Sequence, residues 1–511
     1  MMPAQQTDLM VSVQALLHGI VDIDTEQLVS MMTLDARTVQ AEGLFFAVSG
    51  SRAHGLQYAE QAIKNGVAVI IYDPTSGGEL LAKRYRNRHD LMLLALENLA
   101  DHIGELAARF YHHPSTKLAV LGVTGTNGKT SVSHFLAQAL ESRTQCAVIG
   151  TLGWGYLERL NTTANTTPDA ITIQRQLASF VNDGVDAVAI EVSSHGLQQG
   201  RVSCVQFEGA VFTNLTHDHL DYHGSMAAYG DAKLELFRVP GLKFAVLNLD
   251  DAFSATILKV LDESVHVVGF SRATHVDVNV DVFLSVQHVS QDAHGVSFEL
   301  SHSTQSVSIH SSILGDFNVD NIVATLATLL AMDWPMNEAA ASVKNIKSIA
   351  GRMECIAPSP DLPLVIVDYA HTPDALASVL TTLREHCAGS LRVVFGCGGD
   401  RDQDKRAEMG RLAGELADEI IITNDNPRYE NAERIADQVL QGVEDQAKAV
   451  LILDRKAAIE KTIEHASVSD VVVIAGKGHE DYQLIAEERL SFSDANVARQ
   501  ALKAYSAKEI H

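Results

Sequence analysis

The residue types best suited to chemistry fall in a handful of short polar segments. The first is Thr124-Gly125-Thr126-Asn127-Gly128-Lys129-Thr130, directly after the apolar run at 118–123. In a strand-turn-helix setting, the backbone N–H groups of such a turn and the N-terminus of a helix starting near Lys129 surround a polyphosphate. Lys129 would neutralise the outer phosphates, and the Thr130 hydroxyl would reach magnesium. Gly125, Thr126, Asn127, Gly128, Lys129, Thr130 and Ser131 are therefore the expected contacts of a nucleoside triphosphate, ATP in the first instance. The usual pattern has glycine five residues before Gly128, where this chain has Val123. The competing reading is a glycine-rich turn that merely caps a helix.

Glu191, in Glu191-Val192-Ser193-Ser194-His195, and His219, in Thr213-Asn214-Leu215-Thr216-His217-Asp218-His219, are expected to follow neighbouring strands of one sheet. There a carboxylate oxygen and an imidazole would complete the shell of a second magnesium. Taken alone, each fits a satisfied structural residue. Lys233, in Tyr229-Gly230-Asp231-Ala232-Lys233-Leu234-Glu235-Leu236-Phe237, lies on an amphipathic helical stretch and reads from its pattern as a surface lysine. Further on, Arg401, in Gly396-Cys397-Gly398-Gly399-Asp400-Arg401, and Arg428, in Asp425-Asn426-Pro427-Arg428, follow strand ends. A guanidinium fork suits bidentate recognition of a carboxylate, and the proline stiffens its turn. This segment could meet an amino-acid head group, or it is a loop closed by a structural ion pair.

The elements that must position these residues are written in the apolar pattern. From residue 118 onward, apolar strand, polar turn and helix alternate, with buried strands expected at 118–123, 187–192, 209–213 and 244–248. That alternation predicts a mainly parallel, doubly wound sheet. Upstream, strands at 44–48 and 67–72 and a helix at 58–65 read as a smaller mixed unit, followed by the linker Tyr111-His112-His113-Pro114. Alternating segments between 276 and 313 suggest appended antiparallel hairpins. Beyond Gly351, strands at 364–367, 392–395, 419–423 and 470–475 are separated by helices such as 407–417 and 432–443. The expected fold class is α/β in three domains, at roughly 150 residues per domain. They are a mixed N-terminal α/β domain (1–113), a central P-loop domain with a mainly parallel sheet (114–350) and a C-terminal Rossmann-like domain (351–511). Ligands of open parallel sheets sit outside the carboxyl ends of the strands. The polar segments fall at those ends, Gly476-Lys477-Gly478-His479-Glu480 among them, and two facing domains lined in this way predict a cleft.

Composition bounds the rest. The chain of 511 residues is 46% hydrophobic and 20% charged, the make-up of a globular protein. Lys plus Arg number 39 against 64 Asp plus Glu, a net charge of -25. No basic surface speaks for nucleic-acid binding, so anionic ligands must be held by local positive groups. Five scattered cysteines without a Cys-x-x-Cys pair point away from a disulfide framework or zinc and toward a reducing cytoplasm. The N-terminus has no basic leader and no apolar run reaches the roughly 18 residues of a membrane span, so neither export nor membrane insertion is expected.

In this order, the segments resemble the Mur ligases, the ATP-dependent amide-bond formers of peptidoglycan precursor synthesis. The resemblance runs almost end to end. It is carried by the loop from Thr124 to Thr130, Asn165-Thr166-Thr167-Pro168, Glu191 to His195, Thr213-Asn214-Leu215 with Asp218-His219, Gly351-Arg352-Met353-Glu354, Asp368-Tyr369-Ala370-His371-Thr372-Pro373 and the cluster from Gly476 to Glu480. Within the family, Asp425-Asn426-Pro427-Arg428 resembles the signature of the ligases that add meso-diaminopimelate to UDP-N-acetylmuramoyl-L-alanyl-D-glutamate. Diaminopimelate carries a second carboxylate where lysine has only an ammonium, so a fork at Arg428 would favour it.

The resemblance also implies roles for individual residues. Lys233 matches a lysine carried as a carbamate, an anionic oxygen donor to magnesium. With Lys129, Glu191 and His219 it would form the catalytic set. Thr130, Glu191, His219 and Lys233 would hold a pair of magnesium ions. Leu34, Ala36, Ser51, Arg52, Ala53, Asn165, Thr166, Thr167, Ser193, Gln199 and Arg201 align with contacts to the UDP-linked substrate, and Asn318 and Arg352 with positions near the nucleotide. Arg401, Asp425, Asn426, Pro427, Arg428, Gly476 and Glu480 would form the diaminopimelate site. A monomer acting on small molecules is implied as well.

Two departures stand out: Asp35-Ala36-Arg37 replaces the family's Asp-Ser-Arg near the uridine, and Ala432 stands where proline is common. The implied chemistry is transfer of ATP's terminal phosphoryl group to the D-glutamate side-chain carboxylate, then attack of the diaminopimelate amine on the acyl phosphate. The central and last domains would close for that chemistry. An L-lysine-adding ligase, a folate polyglutamylating enzyme and a nucleotide-binding regulator without turnover remain as alternatives, the second leaving residues 425–428 unexplained.

Overall fold

Strands with both faces buried read as unbroken apolar runs, and that is how the sheets of this protein are built. A computed structural model describes residues 9–50, 53–292, 295–359, 361–400 and 403–509. The chain divides into one unit of residues 1–133, 143–246 and 251–266 and another of 134–142, 247–250 and 267–511. In the first, Met31–Thr33, Gly43–Ala47, Val67–Tyr72 and Met92–Ala95 form a parallel sheet in that order. Successive side chains point to opposite faces. Leu44, Phe46, Val69 and Ile71 join one hydrophobic cluster with Leu99, Ile103, Leu106 and Phe110 of the helix Leu99–Phe110. Phe45, Ala47, Ile70 and Tyr72 join another with Ala59 and Ala62 of the helix Ala59–Lys64.

The same unit holds the strand that precedes the glycine-rich loop. Ala119–Thr124 runs parallel between Ala187–Glu191 and Gly209–Phe212. Cys146–Gly150 pairs, also parallel, with the other edge of Ala187–Glu191. The first of these strands in the chain thus lies inside the sheet with later strands on both sides, and ligands collect at the carboxyl end of such a reversal. This corrects one expectation: the strands before Glu191 and His219 are not neighbours, because Ala119–Thr124 separates them. The crossovers place later strands on either side of it.

In the second unit, Val282–Asp292, Gly295–His302 and Gln305–Ser311 form the expected antiparallel hairpins. A further sheet follows in the order Glu354–Cys355, Leu364–Asp368, Val471–Ala475, Leu391–Phe395, Glu419–Ile422 and Ala449–Leu451. It is parallel except at its first pair. Alternation again fills two cores. Ile366, Val393, Phe395 and Val473 pack with Leu376, Leu380, Met409 and Val439 of the helices Pro373–Glu385, Asp404–Leu416 and Ala432–Leu440. Val365, Val367, Val394 and Val472 pack with Ile459, Ile463, Ala498 and Leu502 of Arg455–Glu464 and Asp494–Glu509. This is the doubly wound, Rossmann-like arrangement expected from the sequence. Among the described residues, no helix is long and apolar enough to cross a membrane.

Candidate active site

The loop after Ala119–Thr124 is shaped by two glycines with positive φ, Gly125 at 150° and Gly128 at 86°. A Cβ on Gly125 would collide with the Thr213 hydroxyl, so the backbone comes closer there than a side chain permits. Asn214 braces the turn: its carbonyl accepts from Thr126 N at 2.8 Å and its Oδ1 from Asn127 N at 2.9 Å. The helix Lys129–Leu140 begins at once. Lys129 Nζ donates to the carbonyls of Gly125 and Thr126, each at 2.8 Å. A glycine turn, a helix N-terminus and a lysine folded over them form the groups that cradle a polyphosphate.

Glu191 lies beside this loop with no exposed surface. Its Oε2 accepts from the hydroxyls of Thr130 at 2.9 Å and Thr151 at 3.0 Å, and its Oε1 from Thr151 N at 2.9 Å. Burial pushes its carboxyl upward, opposed by these donors and by the charge of Lys129. Residues expected at the UDP-linked substrate connect to Thr151 and to the backbone of Glu191. Thr166 Oγ1 lies 3.0 Å from Thr151 Oγ1, and the Thr167 hydroxyl donates to the Glu191 carbonyl at 2.8 Å and lies 3.0 Å from Ser193 Oγ. Arg201 Nη1 donates to the Thr167 carbonyl at 2.7 Å while its Nη2 and Nε grip Gln199 Oε1. Asn165 is exposed just before them. His219 adopts φ 53° and lies 4.8 Å, ring to ring, from His195. It does not join Glu191 in a ready-made ligand set: no group of three or more His, Cys, Asp or Glu among the described residues is arranged to hold a metal.

Lys233 overturns its expectation as a surface residue, being 1% exposed. Tyr229, Gly230, Ala232 and Leu234 of the helix Met226–Leu234 are buried with it, so the stretch has little solvent face in its last turns. Nζ donates to the Gly125 carbonyl at 2.8 Å, the oxygen that Lys129 also uses, and lies 4.4 Å from the centre of the Tyr229 ring. Burial first, and the charge of Lys129 second, push this amine down to about 6. A neutral amine beside the phosphate loop follows.

Of the N-terminal candidates, Ser51 and Arg52 lie outside the described residues. Leu34 and Ala53 are partly buried, and Ala36 is 4% exposed inside a hydrophobic cluster. The Ala36 methyl group is therefore a core atom here. Asp35 and Arg37 on either side form a two-pronged ion pair, with Arg37 Nη2 2.7 Å from Asp35 Oδ2.

In the second unit, Asn318 is buried on the helix Asp316–Ala331 and donates to the Leu314 carbonyl at 2.8 Å. Arg352 lies over the Tyr369 ring at 5.2 Å, and its buried Nε has no partner among the described residues. Asp425, Asn426, Gly476 and Glu480 come together. Asn426 Nδ2 donates to Glu480 Oε2 at 3.0 Å, and a Cβ on Gly476 would stand 2.7 Å from Asp425 Oδ2. Burial raises the Asp425 carboxyl against the pull of Arg455 and Lys477. Arg428, at φ 51°, donates from Nη1 to the Gly399 carbonyl at 2.7 Å, and its backbone is clasped by Leu484 and Ala486 of the hairpin region that follows. Pro427 packs its carbonyl against Gly399, where a side chain would not fit. Arg401 lies outside the described residues.

Residues 28–111 match the Mur ligase family catalytic domain, 123–329 the Mur ligase middle domain and 351–478 the Mur ligase glutamate ligase domain. A protein of Xanthomonas oryzae pv. oryzae named UDP-N-acetylmuramoyl-L-alanyl-D-glutamate--2,6-diaminopimelate ligase is 44% identical over 475 residues, 93% of this chain and 94% of its own. This chain belongs to the Mur ligase family. A Mur ligase of the same name from Coxiella burnetii is 40% identical over 481 residues, 94% of this chain and 97% of that one. A solved structure bearing that name superposes with a TM-score of 0.72 at 34% identity, covering 97% of this chain and 99% of the other.

Mur ligases are ATP-dependent ligases that use magnesium, and the donor set around the loop suits both. Lys129 and the N-terminus of the helix Lys129–Leu140 suit the phosphates, and Thr130 with Glu191 offers the hard oxygen donors that magnesium takes. Sequence reasoning missed Thr151, Asn214 and Lys477 as members of these networks, and Gln483, whose Nε2 donates to the Asp425 carbonyl at 2.7 Å. Asn214 and Lys477 stood inside polar segments already singled out. Thr151 follows the strand Cys146–Gly150, and its place at a parallel strand's carboxyl end was the available signal.

Proposed function

We propose that this chain joins meso-diaminopimelate to UDP-N-acetylmuramoyl-L-alanyl-D-glutamate at the expense of ATP, in peptidoglycan precursor synthesis. The observation that carries this reading is the loop Asp425-Asn426-Pro427-Arg428, in which Asp425 and Asn426 are buried, the Asn426 amide donates to Glu480 and the Arg428 guanidinium donates to the Gly399 carbonyl. An amino-acid head group has the complementary ammonium and carboxylate. The names of the relatives at 40–44% identity support the same substrates.

In the mechanism, backbone N–H groups at 125–130 and the Lys129 ammonium hold the phosphates and take up charge as the terminal phosphoryl group passes to the D-glutamate carboxylate. Thr130, Glu191, His219 and a carbamate on Lys233 would hold magnesium, which supplies further charge neutralisation on the phosphoryl oxygens when bound. The buried amine of Lys233 supports the carbamate, because only a neutral amine adds CO2 and an ammonium beside Lys129 would repel a cation. Thr166, Thr167, Ser193, Gln199 and Arg201 would orient the UDP-linked substrate so that its carboxylate faces the phosphate loop. The amine of diaminopimelate, held by Asp425, Asn426, Arg428 and Glu480, attacks the acyl carbon. The tetrahedral intermediate then expels phosphate and leaves the amide. We assign substrate, nucleotide and amino-acid binding to domains 1–113, 114–350 and 351–511, in a cytoplasmic monomer.

Phosphate release tests the reading, with the UDP-dipeptide, ATP and magnesium present and candidate amino acids added separately. Stimulation by meso-diaminopimelate well above that by L-lysine is expected. Equal release with and without any amino acid would remove the ligase reading, and a preference for lysine would remove the role of Arg428.

A further inference from the structure

Within the proposed amino-acid site, the most deeply buried charge belongs to a residue that the chemistry above leaves without a part. The side chain of Lys477 has no exposed surface, against 11% for Asp425 and 19% for Glu480. Its ammonium donates to Asn426 Oδ1 and Glu480 Oε2, each at 3.0 Å, and stands 3.9 Å from Asp425 Oδ1. The Tyr482 ring closes another side at 5.4 Å.

Two consequences follow from an ammonium having protons to give and no lone pair. The Asn426 atom facing it must be Oδ1, which also accepts from Leu484 N at 2.9 Å; Nδ2 is thereby turned toward Glu480. The cation also offsets one of two carboxylates. Counted with Arg428, and with Arg455 paired to Asp494, Asp425 and Glu480 without Lys477 would leave one excess negative charge, which a single incoming ammonium satisfies. With Lys477 in place, the demand for a bare cation is lowered, and the nearby Arg428 still calls for a carboxylate.

Resting on the reading of residues 425–428 and 476–480 as the amino-acid site, we propose that Lys477 is a positioning residue that fixes the Asn426 amide and balances Asp425 and Glu480, so that the site selects a head group bearing both ammonium and carboxylate over a lone ammonium.

The test compares kcat/KM for meso-diaminopimelate and for L-lysine in wild-type protein, Lys477→Met, Lys477→Gln and Lys477→Arg, with the far-UV circular dichroism spectrum and the urea unfolding midpoint as the check that each variant is folded. Loss of the charge in the Met and Gln variants is expected to lower the diaminopimelate-to-lysine ratio by at least about thirtyfold, the low end of the scale for truncating one partner of a buried charge pair. The Arg variant, keeping the charge, is expected to keep a ratio near that of wild type. If the Met variant does not fold, the Gln variant, which retains donors, decides. A ratio unchanged in the neutral variants, with both substrates losing activity together, overturns the proposal, as does lysine use that stays undetectable in them. Failure of the amino-acid reading itself looks different: wild-type protein then uses neither amino acid.

Discussion

Lys233 carries the clearest consequence of burial on a single group. An amine pushed down to about 6 is largely neutral at physiological pH and becomes an ammonium below that value. An unfolded lysine holds its proton up to about 10.4. Between those values the unfolded chain therefore binds the extra proton, so this residue's contribution to stability grows as pH rises through the window and is lost as pH falls through about 6. CO2 adds only to the free amine. A carbamate signal from protein equilibrated with 13C-bicarbonate is thus expected to fade, together with activity, as pH drops through the same value. Lys233→Arg, permanently charged, is expected to abolish both. A signal that persists well below that pH, or in the Arg variant, would contradict this account. Nothing in the local pattern marked the residue, because periodicity assumes that a helix keeps one face in water. Here Tyr229, Gly230, Ala232, Lys233 and Leu234 are all covered, and a Cβ on Gly230 would stand 2.6 Å from the Phe253 ring.

At the scale of elements, the strands were legible because buried parallel strands are apolar on both faces. Val67–Tyr72 and Phe244–Asn248 have the expected bounds. Strand order was less legible. The chain does not say on which side of Ala119–Thr124 a later strand will dock, and Glu191 and His219 were consequently placed too close in the sheet. Equally hidden was the buried pair that ties loops to helices in the C-terminal sheet. Arg455 and Asp494, each with no side-chain exposure, begin the helices Arg455–Glu464 and Asp494–Glu509 and meet at 2.7 Å. The same guanidinium donates to the carbonyls of Ala475 at 2.9 Å and Asn424 at 3.2 Å, the residues just before Gly476 and Asp425. Asp494→Ala leaves that charge buried without its partner. The expected cost is about 3–5 kcal/mol in urea unfolding of the C-terminal part, with weaker amino-acid binding. A loss below about 1 kcal/mol, the range of exposed pairs, would contradict a supporting role.

For the molecule as a whole, a net charge of -25 faces substrates that are themselves anionic. Capture must therefore depend on local groups: in the proposed site these would be the loop N–H donors and Lys129 for phosphates, and Arg428 for a carboxylate. Their polar segments could be read in the sequence because each follows an apolar strand, and their order along the chain resembled one family throughout. What the order could not convey was the second layer of contacts. Thr151 on Glu191 and Lys477 on Asn426 become visible only when strands distant in sequence are laid side by side.

The central claim is most directly tested by mass analysis of the UDP-linked product when meso-diaminopimelate and L-lysine compete at equal concentration with ATP and magnesium. A product heavier by a diaminopimelate residue is expected, with ADP and phosphate released in step with the amide. A product that gains lysine instead, or ATP consumed with no amide formed, would contradict it.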